Sequence, residues 1–504
     1  MSQSSYIVAL DLGTTGNRAI VFDQGGQIVS QAYRELTQHY PQPGWLEHDA
    51  AEIWQEVRWA LKTALKEADV EPTQVAAIGL TVQRETCLLW DKTTGEPLHK
   101  AIVWQDRRTA PLCDRLRSEG KAELIYNKTG LILDAYFSAT KLNWLIDAVK
   151  QSGVTDFSNV LAGTVDSWAL WNLTGGKVHA TDHSNASRTM LLNIETHQWD
   201  SELLSLFGIP ANLMPEVRPS LGEFGLLDKS ILGVEIPITA ILGDQQAALF
   251  AHGCDRPGLL KCTYGTGSFL VAHTGSEVAR APQLLSTIAW SDGSGSNAEG
   301  EVGYALEGAM FTSGACIQWL RDGLKIIEGA EETDAIARSV PDTNGVYFVP
   351  ALSGLGAPHW DMSARGAFLG ITGGTQRSHM VRAVLESLAF QVKEVVNAVN
   401  AHSKTPINCL KVDGGACNND FLMQFQADVL GIPVERPEIL DATAQGAAFA
   451  AGLATGFWDD YQAIVATRKV EKVFEPQADA EVAANLNAHF EKWSEAVSRG
   501  KNWA

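Results

Sequence analysis

The segment 11–16 reads Asp-Leu-Gly-Thr-Thr-Gly and directly follows an apolar run at 6–10. Small residues at a turn let successive backbone N–H groups point at phosphate oxygens, and threonine hydroxyls add further donors. A carboxylate such as that of Asp11 can hold Mg²⁺ directly or through water, and Arg18 adds positive charge nearby. We therefore predict a phosphate and metal site here, while a plain hairpin with an Asx turn is the alternative for one isolated motif.

Arg84 and Glu85 follow the apolar run AAIGLTV at 76–82. The pair offers five N–H donors beside a carboxylate acceptor, which suits a ligand that carries vicinal hydroxyls. Adjacent opposite charges are commonly only a surface pair. The run before them is typical of a buried strand, however, and α/β proteins bind ligands at strand ends. We favour a binding role for the pair on that ground.

Asp244 follows ITAILG at 238–243, which is typical of a strand ending in glycine, and precedes Gln245 and Gln246. A carboxylate at a strand end can accept the proton of a substrate hydroxyl as its oxygen attacks. The competing interpretation is an N-cap for the helix QQAALFA, and both roles can coexist. We predict that Asp244 is the catalytic base.

Two hairpins with Gly-Thr tips must position these groups. The first has strands at 6–10 and 18–23; the second has strands at 259–264 and 268–275 around Gly265-Thr266-Gly267. Their similarity indicates a duplicated architecture. A third site, with a strand at 410–413, then Gly414-Gly415 and a helix from Asn419, places a helix N-terminus beside a tight backbone, which suits a nucleotide. A glycine-capped turn is the alternative there.

Helices are predicted at 51–69, 379–401 and 441–455. The last is so rich in alanine and glycine that it must pack very closely against another element. A turn of Cys-Asp-Arg-Pro-Gly at 254–258 precedes the second hairpin and marks a domain boundary. We expect two domains, 1–253 and 254–504, as the length of 504 residues suggests.

The composition excludes several classes of protein. The formal net charge of −20 disfavours nucleic-acid binding. Seven widely spaced cysteines without a C-x-x-C motif are typical of reduced thiols in a cytoplasm and give no zinc signal. The N-terminus lacks the basic region of a signal peptide, and no apolar run is long enough to cross a membrane. We expect a cytoplasmic enzyme without a membrane span.

The chain contains no Walker A motif, no G-x-G-x-x-G and no protein-kinase signature set. The order of its motifs resembles the FGGY family of carbohydrate kinases, a branch of the actin-like ATPase fold. The resemblance runs from about residue 6 to about 470 and includes YFSATKLNWLIDA (136–148) and GAFLGITGGTQRSHMVRAVLE (366–386). Six further stretches resemble the branch of the family that acts on glycerol: PGWLEHD (43–49), QRET (83–86), WQDRR (104–108), NASRTML (185–191), GDQQAALF (243–250) and ALEGAMFTSGACIQWLRD (305–322).

The resemblance implies an α/β fold of two actin-like, ribonuclease H-like domains, with a duplicated core and a cleft between them for nucleotide and substrate. It implies ATP-dependent phosphorylation of glycerol to sn-glycerol 3-phosphate, with Mg²⁺ at Asp11 and Asp244 as base. The implied substrate residues are Arg84, Glu85, Trp104, Tyr136, Asp244, Gln245 and Phe269. The implied nucleotide residues are Thr14, Thr15, Gly16, Arg18, Thr266, Gly314, Gln318, Gly415 and Asn419.

The chain departs from the usual family pattern at Leu12, Gly16, Asn17, Val82 and Cys87. Gly16 keeps its N–H but has no hydroxyl, so one phosphate contact differs. The stretch 222–237 lacks both the fructose 1,6-bisphosphate loop and the phosphorylated histidine of some relatives, and we expect neither form of control. We also expect a homo-oligomer, either a dimer or a tetramer.

Two other functions remain open at this stage. One is a family kinase for a pentulose or another small polyol, with the same fold and the same ATP chemistry. The other is a non-metabolic actin-like ATPase, since function can drift on one fold. The second predicts no pocket for a small molecule and no catalytic role for Asp244.

Overall fold

Both predicted hairpins are present in the computed structural model of the protein, which describes residues 5–294, 301–477 and 479–504. Strands β1 (Tyr6–Leu12) and β2 (Gly16–Phe22) form the first hairpin. The strands run further toward the tip than predicted, because Asp11 pairs with Arg18 and Leu12 with Asn17. The turn is therefore confined to Gly13, Thr14 and Thr15.

The other strands before residue 254 are β3 (Ile28–Glu35), β4 (Glu47–His48), β5 (Val75–Val82), β6 (Cys87–Asp91), β7 (Ala101–Ile102), β8 (Val160–Thr164), β9 (Ala180–Asp182), β10 (Leu192–Asn193), β11 (Gln198–Trp199), β12 (Glu216–Arg218) and β13 (Ile238–Gly243). The helices of this half are α1 (Ala50–Glu67), α2 (Ala110–Ser118), α3 (Ala122–Thr129), α4 (Ser138–Gln151), α5 (Val165–Leu173), α6 (His183–Ala186), α7 (Ser201–Leu206), α8 (Lys229–Leu232) and α9 (Asp244–Ala251).

The strands of the second half are β14 (Leu259–Tyr264), β15 (Ser268–Gly275), β16 (Leu285–Asp292), β17 (Glu301–Met310), β18 (Tyr347–Val349), β19 (Ala367–Leu369), β20 (Cys409–Asp413), β21 (Val434–Pro437) and β22 (Val470–Phe474). Its helices are α10 (Gly314–Asp322), α11 (Glu332–Arg338), α12 (Arg377–His402), α13 (Asp420–Leu430), α14 (Ala442–Ala454), α15 (Tyr461–Ala466) and α16 (Ala480–Gly500).

The duplication that the sequence predicts is confirmed by the topology of two sheets. The first has the order β13-β5-β1-β2-β3, and the second contains β21-β20-β14-β15-β17 in the same positions. In the first sheet, β13 pairs with β5 and β5 with β1 in parallel, while β1 pairs with β2 and β2 with β3 antiparallel. The second sheet repeats this pattern, with β21-β20 and β20-β14 parallel and β14-β15 and β15-β17 antiparallel. The second sheet is extended by β16 and β22 at its edges. Each hairpin tip lies beside the carboxyl ends of its parallel neighbours.

Helix α14 joins the two halves. It follows β21 of the second sheet but packs on β1, β5 and β13 of the first and on α9. A Cβ atom on Gly446 would lie 1.9 Å from the carbonyl oxygen of Ala247, and one on Gly79 would lie 2.1 Å from that of Ala447. These approaches explain the abundance of glycine and alanine and confirm the predicted close packing. The predicted domain boundary lies in the loop between α9 and β14.

All seven cysteines are buried free thiols. Burial raises the pKa of those at 87, 113, 254, 316, 409 and 417 to about 12, so none of these six is a thiolate near neutral pH. Among the described residues, none of the helices combines the length and the apolar character that crossing a membrane requires.

Candidate active site

Arg84 and Glu85 lie in a tight turn just after β5. Glu85 has a φ of +64°, and the Thr86 N–H donates to the Arg84 carbonyl oxygen at 2.8 Å. Such a backbone is uncommon for a residue with a side chain and costs about 1–3 kcal/mol. Both side chains are 2% exposed, so the surface-pair alternative is wrong. The turn aims both charged groups into the interior of the protein.

Asp244 is the first residue of α9 and lies beside Arg84. Its Oδ1 is 3.2 Å from Arg84 Nε and accepts a hydrogen bond from the backbone N–H of Gln245 at 2.7 Å. The N-cap of the helix is Gly243, so the N-cap alternative for Asp244 is wrong. The side chain is 28% exposed. Asp244 is thus anchored through one oxygen and has access to the cleft.

Three predicted aromatic residues meet beside this pair. The ring of Trp104 lies 5.5 Å from that of Tyr136 and 6.0 Å from that of Phe269, edge to face in both cases. Trp104 Nε1 donates to Thr14 Oγ1 at 2.9 Å, which joins the aromatic wall to the first hairpin tip. A cavity of about 290 Å³ opens beside Trp104 and Tyr136 and is also lined by Phe311.

Two residues in contact with this site were missed as site residues by the sequence reasoning. Glu307 on β17 accepts from Arg84 Nη1 at 2.6 Å and from Nη2 at 2.9 Å. Arg188 donates from Nε to Glu85 Oε1 at 2.7 Å and from Nη2 to Glu307 Oε1 at 3.1 Å. Both lie inside stretches that carry the family resemblance, NASRTML and ALEGAMFTSGACIQWLRD. That is the one signal that could have found them.

The charges in this cluster shift one another's pKa values. Burial alone would raise the pKa of Glu307, but Arg188 and Arg84 lower it to about 2. Burial alone would lower the pKa of Arg84, but Glu307 and Glu85 raise it well above its usual value. Burial raises the pKa of Tyr136, so its hydroxyl keeps its proton near neutral pH. Glu307 and Arg84 are therefore both charged, and Tyr136 can donate a hydrogen bond.

Asp11 lies at the base of the first hairpin tip. Its Oδ2 is 3.3 Å from Arg18 Nε and accepts a hydrogen bond from the Thr443 hydroxyl at 3.1 Å. Arg18 also pairs with Asp441 at 2.5 Å. Burial raises the pKa of Asp11 to about 6 against the effect of Arg18, with smaller contributions from Asp244 and Asp441. Asp11 and Asp244 therefore lie close enough to interact electrostatically.

The structure shows the surroundings of the five residues that depart from the family pattern. A Cβ on Gly16 would lie 2.4 Å from the Arg34 carbonyl oxygen and 2.6 Å from the Tyr33 ring, so glycine fits the neighbouring strand. Leu12, Val82 and Cys87 are fully buried in apolar clusters. Asn17, also buried, donates to the Ile53 carbonyl oxygen at 3.4 Å.

The second hairpin tip lies against the N-terminus of α10. The Gly265 carbonyl oxygen accepts from the N–H of Gly314 at 3.0 Å, and that of Thr266 accepts from Ser313 and Ala315. A Cβ on Gly314 would lie 2.7 Å from the Gly265 oxygen, so a side chain would disturb this contact. Thr266 is exposed at the cleft.

The remaining nucleotide candidates surround the same region. Gln318 is exposed one turn along α10 from Gly314. Apart from Gly415 itself and its two chain neighbours, no described residue has an atom within 4 Å of the place that a Cβ on Gly415 would take, so that direction is open. Asn419 caps α13 through the N–H of Leu422 at 2.8 Å and donates to Thr333 at 2.9 Å. An open glycine face beside a capped helix N-terminus suits a nucleotide.

Gln245 contacts the second half of the chain. Its Oε1 accepts a hydrogen bond from Lys261 Nζ, which also donates to Thr263 Oγ1 at 2.9 Å. Burial lowers the pKa of Lys261, while Asp413 and Asp244 oppose that effect. The predicted role of Gln245 in substrate binding stays a prediction, because here its side-chain oxygen is held by a lysine.

The chain matches the FGGY family of carbohydrate kinases over most of its length. The N-terminal domain of that family matches residues 6–251, and the C-terminal domain matches residues 260–455. The chain is 68% identical to a glycerol kinase of Acaryochloris marina, with 100% of each chain covered. It is 66% identical to a glycerol kinase of Nostoc sp., and the match covers 100% of this chain and 99% of the relative.

Solved structures are similar in fold. The crystal structure of Plasmodium falciparum glycerol kinase with ADP superposes with a TM-score of 0.90 at 34% identity, over 99% of this chain and 98% of that one. A gluconate kinase from Lactobacillus acidophilus superposes with a TM-score of 0.88 at 23% identity, over 98% of each chain, which bears on the fold alone.

Proposed function

The chain belongs to the FGGY family of carbohydrate kinases, and we propose that it transfers the γ-phosphoryl group of ATP directly to a terminal hydroxyl of glycerol, giving sn-glycerol 3-phosphate. One observation carries the proposal. Arg84, Asp244 and the aromatic group of Trp104, Tyr136 and Phe269 meet where the two hairpin tips converge. The relatives named glycerol kinase at 64–68% identity support it.

Glycerol is held by charged and aromatic side chains of the cleft. Arg84 donates to its hydroxyls and Glu85 accepts from them, while Tyr136 donates its phenolic hydroxyl. Trp104 and Phe269 contact the C–H edges, and rigid rings exclude bulkier sugars by shape at little entropic cost. Gln245 contacts glycerol once its link to Lys261 is exchanged. The site is thus polar on one side and apolar on the other, as small-molecule pockets generally are.

Asp244 orients the attacking hydroxyl and accepts its proton. Its Oδ1 is engaged by Arg84 and by the N–H of Gln245, which leaves Oδ2 for the substrate. Phosphoryl transfer requires little covalent chemistry from the protein, so positioning and charge stabilisation dominate. The proton moves to Asp244 late, as the bond from the glycerol oxygen to the γ-phosphorus forms and the bond from that phosphorus to the β–γ bridging oxygen breaks, which releases ADP.

ATP lies between the hairpin tips. Thr14, Thr15, Gly16 and Arg18 contact its phosphates from the first domain, and Thr266 does so from the second. The open direction above Gly415 supports an adenosine site formed by Gly314, Gln318, Gly415 and Asn419. Since both domains contribute residues to the nucleotide site and to the glycerol site, closure of the domains excludes water and suppresses ATP hydrolysis.

The residues of the first tip fit a magnesium ion. The buried carboxylate of Asp11 has an upward-shifted pKa, to which Asp244 and Asp441 contribute, so added positive charge is favourable there. Within the described residues no three His, Cys, Asp or Glu side chains are grouped as a protein-only metal site. Mg²⁺ often binds through one or two carboxylates together with substrate phosphates. When bound beside Asp11, the ion would offset negative charge on the transferring phosphate.

Further assignments belong to the same proposal. The chain acts as a cytoplasmic enzyme and as a homo-oligomer, a dimer or a tetramer. Its domains are 1–253, with the glycerol site and phosphate hairpin, and 254–504, with the adenosine site.

A substrate panel tests the function. Purified protein is assayed for ADP formation with Mg·ATP and, in turn, glycerol, dihydroxyacetone, xylulose and erythritol. We expect glycerol to give the highest kcat/KM, because relatives at 64–68% identity are named glycerol kinase and because rigid rings exclude bulkier sugars by shape. A higher kcat/KM with xylulose or erythritol would replace glycerol by that substrate and leave the kinase chemistry in place.

A further inference from the structure

Glu307 ties the proposed substrate site to the second domain. It lies in the middle of β17, its side chain is fully buried, and its two oxygens accept three hydrogen bonds from arginines of the first domain. Two of these come from Arg84 as a parallel fork, at 2.6 and 2.9 Å. Bidentate pairs of this kind fix the plane of a guanidinium group as well as its position.

Arg188 completes a closed chain of charges. It follows α6 and donates to both Glu85 and Glu307, at 2.7 and 3.1 Å. Its guanidinium carbon lies 5.3 Å from the Phe137 ring centre and 5.6 Å from that of Tyr136. Two carboxylates and two aromatic rings thus fix the guanidinium group of Arg188. Arg188 in turn fixes the carboxylate of Glu85, which points inward from the turn after β5.

The network leaves few groups of Arg84 for a ligand. Its Nη1 donates to Gln246 and Glu307, its Nη2 donates to Glu307, and its Nε faces Asp244. In the described part of the chain one N–H of Nη2 therefore has no protein partner. Glu307 determines where this N–H points, although Glu307 itself need not touch the substrate.

Stability gives no reason for burying four charges here. Moving charged groups out of water is expensive, and a buried ion pair is often no more stabilising than apolar side chains of similar volume. The two arginines and the two glutamates balance in charge, and all four are at most 3% exposed. Their arrangement instead fixes the orientation of Arg84 and Glu85, the two charged residues of the proposed glycerol site.

We propose that Glu307, acting with Arg188, is a positioning residue for glycerol. It orients the free N–H of Arg84 and the carboxylate of Glu85, and the polyol site is complete only when the second domain lies against the first. The inference rests on the proposed function, because it concerns the same site.

The variants Glu307→Gln and Arg188→Lys test it. The first keeps the shape of the side chain but removes the charge, and the second keeps the charge but removes the planar fork. Glu301→Gln, at the exposed start of the same strand, is the matched control. KM and kcat are measured for glycerol and for ATP, together with the shift in Tm that glycerol or ADP produces.

We expect Glu307→Gln to raise the glycerol KM about ten- to hundredfold, as expected from losing a charge-assisted hydrogen bond. The ATP KM should stay within about twofold of its parent value, the glycerol-induced Tm shift should be lost, and the ADP-induced shift should remain. Arg188→Lys should change the same quantities in the same direction, and Glu301→Gln should change none of them.

Three results would overturn the inference: an unchanged glycerol KM in Glu307→Gln, equal losses for glycerol and ATP, or failure of both variants to fold. The last would give the network a purely structural role. Failure of the proposed function is distinguishable, because the parent protein would then show no glycerol-dependent activity at all.

Discussion

Replacing Asp244 by asparagine removes the proton acceptor and little else. Oδ1 of Asp244 already accepts from the Gln245 N–H at 2.7 Å and faces Arg84 Nε at 3.2 Å. The asparagine oxygen can keep both contacts, which turns its NH₂ group toward the substrate. An amide cannot accept the proton of the glycerol hydroxyl. The NH₂ group of asparagine is itself a hydrogen-bond donor, so it cannot pair with the hydroxyl's O–H as the carboxylate does.

The expected loss follows from the worth of a positioned base. General-base catalysis contributes about 10²–10⁴-fold, or about 3–5 kcal/mol of barrier. We expect kcat for glycerol phosphorylation to fall by that factor, measured as ADP release in a coupled assay at saturating substrates. The side chain is 28% exposed, so ATP affinity and Tm should change little.

Asp255→Asn is the matched control. Its side chain has a similar exposure, 23%, and pairs with Arg256 away from the cleft. A kcat for Asp244→Asn within about threefold of the parent value would refute the role of Asp244 as base. An equal loss in both variants would assign the effect to a general consequence of losing a carboxylate.

Three further predictions concern binding, packing and pH. Arg84→Ala should raise the glycerol KM at least about tenfold and leave the ATP KM unchanged, because hydrogen bonds to charged groups are worth about 1.5–3 kcal/mol; identical glycerol KM values in variant and parent would contradict the site. Gly446→Ala should lower the free energy of unfolding by about 1–3 kcal/mol in urea denaturation, since its Cβ would lie 1.9 Å from the Ala247 carbonyl oxygen. Gly373→Ala is the control and should leave the free energy of unfolding unchanged, because beyond its chain neighbours no described atom lies within 4 Å of the added Cβ. Equal stabilities of the two variants would refute the close packing of α14. Burial lowers the pKa of His48, His183 and His273 to about 4 and that of His252 to about 3, from 6.5. At these four histidines the unfolded chain therefore binds protons that the folded chain does not. Burial raises the pKa of Asp11, Asp166 and Glu386 to about 6, which acts in the opposite sense, but these groups are fewer and their shifts are smaller. The free energy of unfolding should therefore fall as pH drops below about 6.5, by up to about 1.4 kcal/mol per pH unit for each histidine that no carboxyl offsets; a constant Tm from pH 7 to pH 4.5 would be inconsistent with this.

The duplicated core could be predicted from the sequence because its signals are local. Each hairpin is marked by a strand, a Gly-Thr tip and a returning strand within about 20 residues, and the sheets repeat the same order of pairings. The alanine- and glycine-rich helix was likewise predicted to pack closely. Its partner was not, because α14 crosses from the second sheet to the first, which depends on topology rather than on local pattern.

The site could be predicted only in part, because some of its contacts depend on topology rather than on local pattern. Apolar runs placed Arg84, Glu85 and Asp244 at strand ends, and the structure brings Arg84 and Asp244 together. Glu307 and Arg188 contact these groups from 223 and 103 residues away in the chain. No spacing rule links side chains at such separations, so only the folded backbone shows that they share one network.

The stoichiometry and destination of the transferred phosphate decide whether the chain is a polyol kinase. Purified protein is incubated with Mg·ATP and ¹³C-labelled glycerol, and ADP, inorganic phosphate and glycerol phosphate are measured together by ³¹P and ¹³C NMR. We predict one glycerol phosphate per ADP, with the phosphate on a terminal carbon, and almost no ADP when glycerol is left out. Release of ADP and inorganic phosphate at the same rate with or without glycerol would contradict the proposed reaction and identify an ATPase without a polyol acceptor.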